Sequence, residues 1–163
     1  MDGKYEIGRD HIRALAIECH ALDVQFDRLF NAPTICGASD RVYRAYNRLL
    51  STKLLNLAIS IRVDLANQPG YKSTEVQPAA IFLQGGPTSG HGFSMKDICD
   101  KIIHAERIYK PIEPGVQRAG CELSGRQHDR EWVLGLGVQI FCEYVLRWLE
   151  ELEDQVPEVQ PAG

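Results

Sequence analysis

Apolar residues recur along this chain at two periods, and the change between them marks its organisation. Over residues 9–30, Ile12, Leu15, Cys19, Leu22, Phe26 and Leu29 alternate by three and four. That spacing lays one stripe along an α-helix. Asp10 stands near the start, where an acid favours the helix dipole. Pro33 ends the helix by disfavouring the helical state of the residue before it. A second helix is predicted over residues 39–67, capped by Ser39 or Asp40. Tyr43, Tyr46, Leu49, Leu50, Leu54 and Leu57 form its apolar side, and Arg41, Arg44 and Arg48 lie on the other. Beyond Thr52 apolar residues occupy nearly every side, which predicts a central position. Gln68-Pro69-Gly70 closes it.

Residues 70–93 form a long connection in which residues 78–83 read as a short extended piece. A third helix follows over residues 94–109. Ser94 caps it, and Asp97 three positions on approximates a capping box. Ile98, Ile102, Ala105 and Tyr109 share one face, and Pro111 and Pro114 terminate the run. The period then becomes two. Cys121 and Leu123, and after residues 125–129 Trp132, Leu134 and Leu136, alternate with polar or small neighbours. This predicts a hairpin with a longer loop, half-buried on one face. Val138, Phe141, Val145, Trp148 and Leu152 return to helical spacing over residues 138–154. Residues 156–163 read as a disordered tail. The expected fold is mainly α: a four-helix bundle with a β-hairpin inserted before the last helix, one domain over residues 1–155. Its core is expected to include Leu22, Phe26, Leu50, Leu57, Ile102, Phe141 and Trp148.

Composition narrows the class of protein. Of 163 residues, 44% are hydrophobic and 25% charged, and the net charge is −4. These values fit an ordinary globular domain and not a strongly basic nucleic-acid binder. The first ten residues carry no apolar signal core, and no stretch approaches the roughly 18 apolar residues that span a bilayer. A cytoplasmic protein without a membrane partner is expected. The five cysteines, Cys19, Cys36, Cys99, Cys121 and Cys142, are odd in number, scattered and free of any CxxC. They signal neither a disulfide framework nor a zinc site. Reduced thiols, no metal and no cofactor are expected.

Candidate chemistry concentrates in the third helix. Helical spacing would place Asp97, Asp100, Lys101, His104 and Arg107 on the face opposite Ile98 and Ile102. Asp100 and His104 are four apart, so the carboxylate would orient the imidazole; Arg107 would stand beside it as an anion-stabilising group. The plainer reading is a solvated face with ordinary ion pairs. Asp100 and His104 also supply two metal ligands at most, with no further ligand at recognisable spacing. Arg41, Arg44 and Arg48 form a basic stripe suited to a phosphate backbone, or simply a solvated surface. Residues 85–92, GGPTSGHG, lack the lysine and spacing of a phosphate-binding loop. They read as a mobile loop or lid, with His91 incidental.

The segment DICDKIIHAERI resembles the short motif helix of HEPN-type proteins, compact helical bundles of bacterial toxin and defence systems. Their signature is an arginine, four to six intervening residues, then a histidine. Members that keep it are metal-independent ribonucleases acting as dimers; others bind or assemble without catalysis. The resemblance implies His104 as the motif histidine and Asp100 near its polar position. The arginine would stand at residue 97, 98 or 99, where this chain has Asp97, Ile98 and Cys99. The resemblance therefore implies a non-catalytic binding or assembly protein of a bacterial defence or toxin–antitoxin system. Its partners would be RNA, another protein or a second copy in a homodimer. The alternatives are a HEPN-type ribonuclease using His104, with Asp100, Lys101 and Arg107 in support, and a plain helical interaction protein.

Overall fold

Two of the four helices, the second and the third, begin at a side-chain cap. The computed structural model describes residues 8–31, 39–68, 75–76, 81–85, 93–112 and 120–154. Among these, helix α1 spans Arg9–Phe26 and runs into a π-helical turn, Asp27–Asn31. Helix α2 spans Asp40–Ala66, with the Ser39 hydroxyl accepting from the Val42 amide at 3.4 Å. Strands β1 (Glu75–Val76), β2 (Ile81–Gly85) and β3 (Phe93–Ser94) precede helix α3 (Met95–His104). Strands β4 (Arg107–Tyr109), β5 (Cys121–Gln127) and β6 (Arg130–Leu136) lead to helix α4 (Val138–Asp154). The described fold is mainly helical and bundle-like, with an antiparallel sheet ahead of the last helix. Residues 86–92, for which a mobile loop is expected, lie outside the described residues, as do residues 156–163, Cys36 and His91. Gly85, the first residue of that expected loop, belongs to β2 and pairs with Trp132.

Helix α1 lies between α2 and α4, and α3 packs on α2. Ion pairs join the same neighbours. Arg13 reaches Glu153 of α4 at 2.9 Å, and Glu18 meets Lys53 of α2 at 2.6 Å. The apolar stripes meet in one cluster to which all four helices and the hairpin contribute. Phe26, Leu50, Leu57, Ile102, Phe141 and Trp148 are buried as their spacing predicts, while Leu22 is half-buried against the cluster. Fully burying a side chain of this size contributes about 1.5–3 kcal/mol. Leu49 and Leu29, assigned to apolar stripes by spacing, are instead exposed at 46% and 39%.

The hairpin is half of a larger sheet. Its strands are flanked by β2 and β4 in the order β2-β6-β5-β4. Cys121 pairs with Leu136, Leu123 with Leu134 and Gly125 with Trp132, and all six are buried. The period-two residues thus face the helices. The connection is shorter than the five-residue loop expected. Only His128 and Asp129 separate the strands, both at positive φ (50° and 60°). Two left-handed residues give a tight turn whose twist suits a hairpin, and His and Asp tolerate that region better than most side chains. Gly125 is required where it stands. A Cβ there would meet the Trp132 ring at 2.6 Å and the His104 carbonyl oxygen at 3.2 Å.

The third helix also departs from expectation. It ends at His104, not at residue 109, because Ala105 turns extended (ψ 131°) and the Glu106 amide donates to the Ser124 carbonyl at 2.8 Å. Residues 107–109 then pair with β5. Arg107 therefore sits on a strand and does not share a helix face with Asp100 and His104. The capping box at the other end is complete: Ser94 and Asp97 satisfy each other's backbone amides at 2.9 and 3.1 Å.

Just beyond β4, Lys110 is 2% exposed and donates to Asp23 of α1 at 2.7 Å. Gln139 of α4 donates to the other Asp23 oxygen at 2.9 Å, and the ammonium lies 4.7 Å from the Phe26 ring centroid. A lone buried charge is costly, so each ion is tolerated because the other is present. Replacing Asp23 or Lys110 by alanine should cost about 3–5 kcal/mol in chemical denaturation. The apolar double replacement Asp23→Leu with Lys110→Met should recover most of that loss. Single variants within about 1 kcal/mol of the parent would show that the pair does not hold the fold.

Candidate nucleic-acid interface

One side of α2 and the end of α3 leave an open groove of about 710 Å³ between them. Helical spacing brings Arg48, Ser51, Thr52 and Leu55 to the same side of α2. The opposite wall is the last turn of α3 and the start of β4: Ile102, Ile103, Ala105, Glu106, Arg107 and Ile108. The two walls are pinned at one end. The Lys110 amide donates to Asn47 Oδ1 at 2.7 Å, and the Tyr43 hydroxyl donates to the Lys110 carbonyl at 2.6 Å. Asn47 Nδ2 in turn donates to the Tyr43 carbonyl at 3.0 Å. Two side chains of α2 thereby satisfy both backbone groups of Lys110, as a neighbouring strand would.

The groove gathers two arginines that sequence spacing assigned to separate clusters. Arg48 comes from the basic stripe of α2 and Arg107 from β4; both are exposed. The Arg107 guanidinium stacks 4.3 Å from the Tyr109 ring centroid. The Tyr109 hydroxyl donates to Glu122 at 2.9 Å, and that hydrogen bond, with burial next, raises its pKa. Arg44 stands one turn before Arg48, and Arg41 one turn before Arg44, both exposed. Among the described residues, no carboxylate forms an ion pair with Arg41, Arg44, Arg48 or Arg107. Arg13, Arg62, Arg126 and Arg147 are matched to acids, whereas Arg28 and Arg130, outside the groove, also have no ion pair among the described residues.

The four residues expected to act together on the third helix have different neighbours. Asp100 accepts from Arg62 Nε at 2.7 Å and from Lys96 Nζ at 3.2 Å. Lys101 lies 4.3 Å from the Trp132 ring centroid and donates to Gln127 at 3.1 Å, on the hairpin side. Burial lowers the Lys101 pKa. His104 is exposed at the end of α3, and among the described residues no side chain hydrogen-bonds to its imidazole. Arg107 is in the groove. Ser51, Thr52, Asn47, Glu106 and Ile108 escaped sequence reasoning. The Ser51-Thr52 step, a polar break in an apolar run, was the available signal; Glu106 had none.

Among the described residues no three His, Cys, Asp or Glu side chains converge as a metal site, and no helix is long and apolar enough to cross a membrane. Cys19, Cys99, Cys121 and Cys142 are buried and unbridged. No family model, curated protein or solved structure matches the chain.

Burial holds two of these thiols, Cys99 and Cys121, protonated. It pushes Cys121 from 9.0 up to about 12, with the Asp23 carboxylate adding to the effect. The Cys99 thiol is also raised, chiefly by burial, and Cys142 by its hydrogen bond with Cys19 and then by burial. Thiolate is the reactive form, so these cysteines should be inert in the folded state. In a Cys36→Ser variant at pH 8, a thiol reagent should label the native protein far more slowly than the unfolded chain. The sign for stability follows from linkage. A folded-state pKa above the unfolded one contributes stability that is full below pH 9.0 and is lost as pH rises through about 12. Cys121→Ala should flatten that alkaline decline in denaturation midpoints; an unchanged decline would remove Cys121 as its cause.

Proposed function

We propose that the chain is a non-catalytic HEPN-like binding protein, of the kind found in bacterial defence or toxin–antitoxin systems. Its ligand is RNA, held by phosphate contacts along the groove between α2 and β4. The observation that carries this reading is the convergence of Arg48 and Arg107 on one open groove while neither has an acidic partner among the described residues. Guanidinium groups left unpaired beside a concavity are suited to bidentate phosphate contacts. On the same wall Ser51 and Thr52 donate their hydroxyls to the Arg48 carbonyl at 3.0 and 2.8 Å, which leaves the phosphate contacts to the guanidinium groups. Arg44 and Arg41 continue the track along α2, so a backbone longer than one nucleotide can be followed. A net charge of −4 argues that this is a local basic track and not general attraction to nucleic acid.

The absence of catalysis rests on two features. The motif arginine is replaced by Asp97, Ile98 or Cys99, and Asp100 is engaged by Arg62 and Lys96. His104 thus lacks the carboxylate that would orient it as a general acid or base. A cytoplasmic homodimer is the assembly that accompanies this reading.

Fluorescence anisotropy with a labelled single-stranded oligoribonucleotide tests it. Arg48→Ala and Arg107→Ala should each weaken binding about tenfold, the magnitude of a charge-assisted contact of about 1.5 kcal/mol. Each should also reduce the slope of log affinity against log salt by roughly 0.7. His104→Ala should bind as the parent does, and neither should cleave the RNA. Arginine variants that bind with parental affinity and salt slope would refute the groove as the interface.

A further inference from the structure

Glu106 is out of place in a groove built for phosphate. It lines the same wall as Arg107, is exposed, and among the described residues its carboxylate has no hydrogen-bond or ion-pair partner. Both arginines of the groove stand without a carboxylate, Glu106 included, within ion-pair distance. Its backbone is fixed by the 2.8 Å hydrogen bond from its amide to the Ser124 carbonyl. A free acid repels a phosphate backbone and accepts hydrogen bonds from donors.

We propose, resting on the reading of the groove as an RNA interface, that Glu106 reads a guanine base of single-stranded RNA seated between Arg48 and Arg107. Guanine presents N1–H and the 2-amino group side by side on its Watson–Crick edge. These are two parallel donors matched to the two oxygens of a carboxylate. Uracil presents one donor between two acceptors, and adenine and cytosine one amino group beside an acceptor. Unpaired bases of single strands are splayed and read on this edge. The apolar part of the groove lining suits the base itself. Ile103 and Ile108 are half-buried and Leu55 is 36% exposed, so an aliphatic surface is available for the ring face. The arginines on the two walls then take the flanking phosphates, and the carboxylate supplies the choice of base.

The assignment is tested with oligouridylate, the same oligomer carrying one central guanine, and the same oligomer carrying inosine, which lacks the 2-amino group. The guanine oligomer should bind about tenfold tighter than oligouridylate, as a good bidentate base contact allows. Inosine should forfeit most of that gain. In Glu106→Gln the ratio of guanine-containing to uridine-only affinity should fall towards one, because the amide turns a donor towards a donor. Equal affinity of the parent for guanine and uridine oligomers overturns the assignment. So does a guanine preference that survives in Glu106→Gln. Arg48→Ala and Arg107→Ala separate the two levels. If they weaken binding of every oligomer while guanine earns no preference, only the base assignment fails. If they leave binding unchanged, or no oligomer binds, the groove reading fails and the base assignment with it.

Discussion

The ammonium of Lys110 and the carboxylate of Asp23 meet at 2.7 Å with almost no exposure to solvent. Neither ion is tolerable there alone. Their requirement for one another ties the chain after β4 to the last turn of α1, and Gln139 brings in α4 through the second carboxylate oxygen. The ammonium also lies over Phe26, itself packed with Phe30 and Tyr46 at ring-centroid distances of 4.9 and 5.3 Å. A backbone that must deliver Lys110 to this point cannot continue as helix from His104. It turns, extends and becomes the edge of the sheet.

That constraint builds the groove. With Lys110 anchored, its amide and carbonyl fall to Asn47 and Tyr43 of α2, and β4 runs close beside that helix. Arg107 and Ile108 are carried to the wall opposite Arg48 and Ser51. The pinned walls favour recognition, because little ordering of the backbone remains to be done on binding. The candidate catalytic chemistry of α3 is dispersed by the same packing. Asp100 serves the α2–α3 contact through Arg62, and Lys101 lies over Trp132 beside the hairpin. In this arrangement Asp100 is engaged by Arg62 and Lys96 and forms no hydrogen bond with His104.

Local patterns disclosed elements better than they disclosed neighbours. The three-and-four spacing of Phe26, Leu50, Leu57, Phe141 and Trp148 was enough to place them in the core, since a helix has one way to bury such a stripe. The alternation through Cys121, Leu123, Trp132, Leu134 and Leu136 likewise marked the inward face of the hairpin. The end of α3 was not legible. Ile98, Ile102, Ala105 and Tyr109 keep helical spacing, and no glycine or proline intervenes before Pro111. Pairing with β5 and the burial of Lys110 override that pattern, and both involve residues distant in sequence. Nothing in the local spacing marks Asp23 as buried, because its partner Lys110 lies far along the chain. The groove was invisible for the same reason: it exists only once α2 and β4 are neighbours. The basic stripe and Arg107 are each visible in the sequence, but not that Arg48 and Arg107 line one groove.

The central claim is that the buried pair fixes β4 against α2 and so creates a single binding surface. Amide chemical-shift mapping during titration with a guanine-containing oligoribonucleotide addresses it directly. The account requires the shifted amides to cluster at Arg48, Ser51, Thr52 and residues 106–108, with Asp100 and Lys101 little affected. Shifts centred on the face of α3 that carries Asp100 and Lys101, or dispersed over the surface without a maximum at the groove, would contradict it.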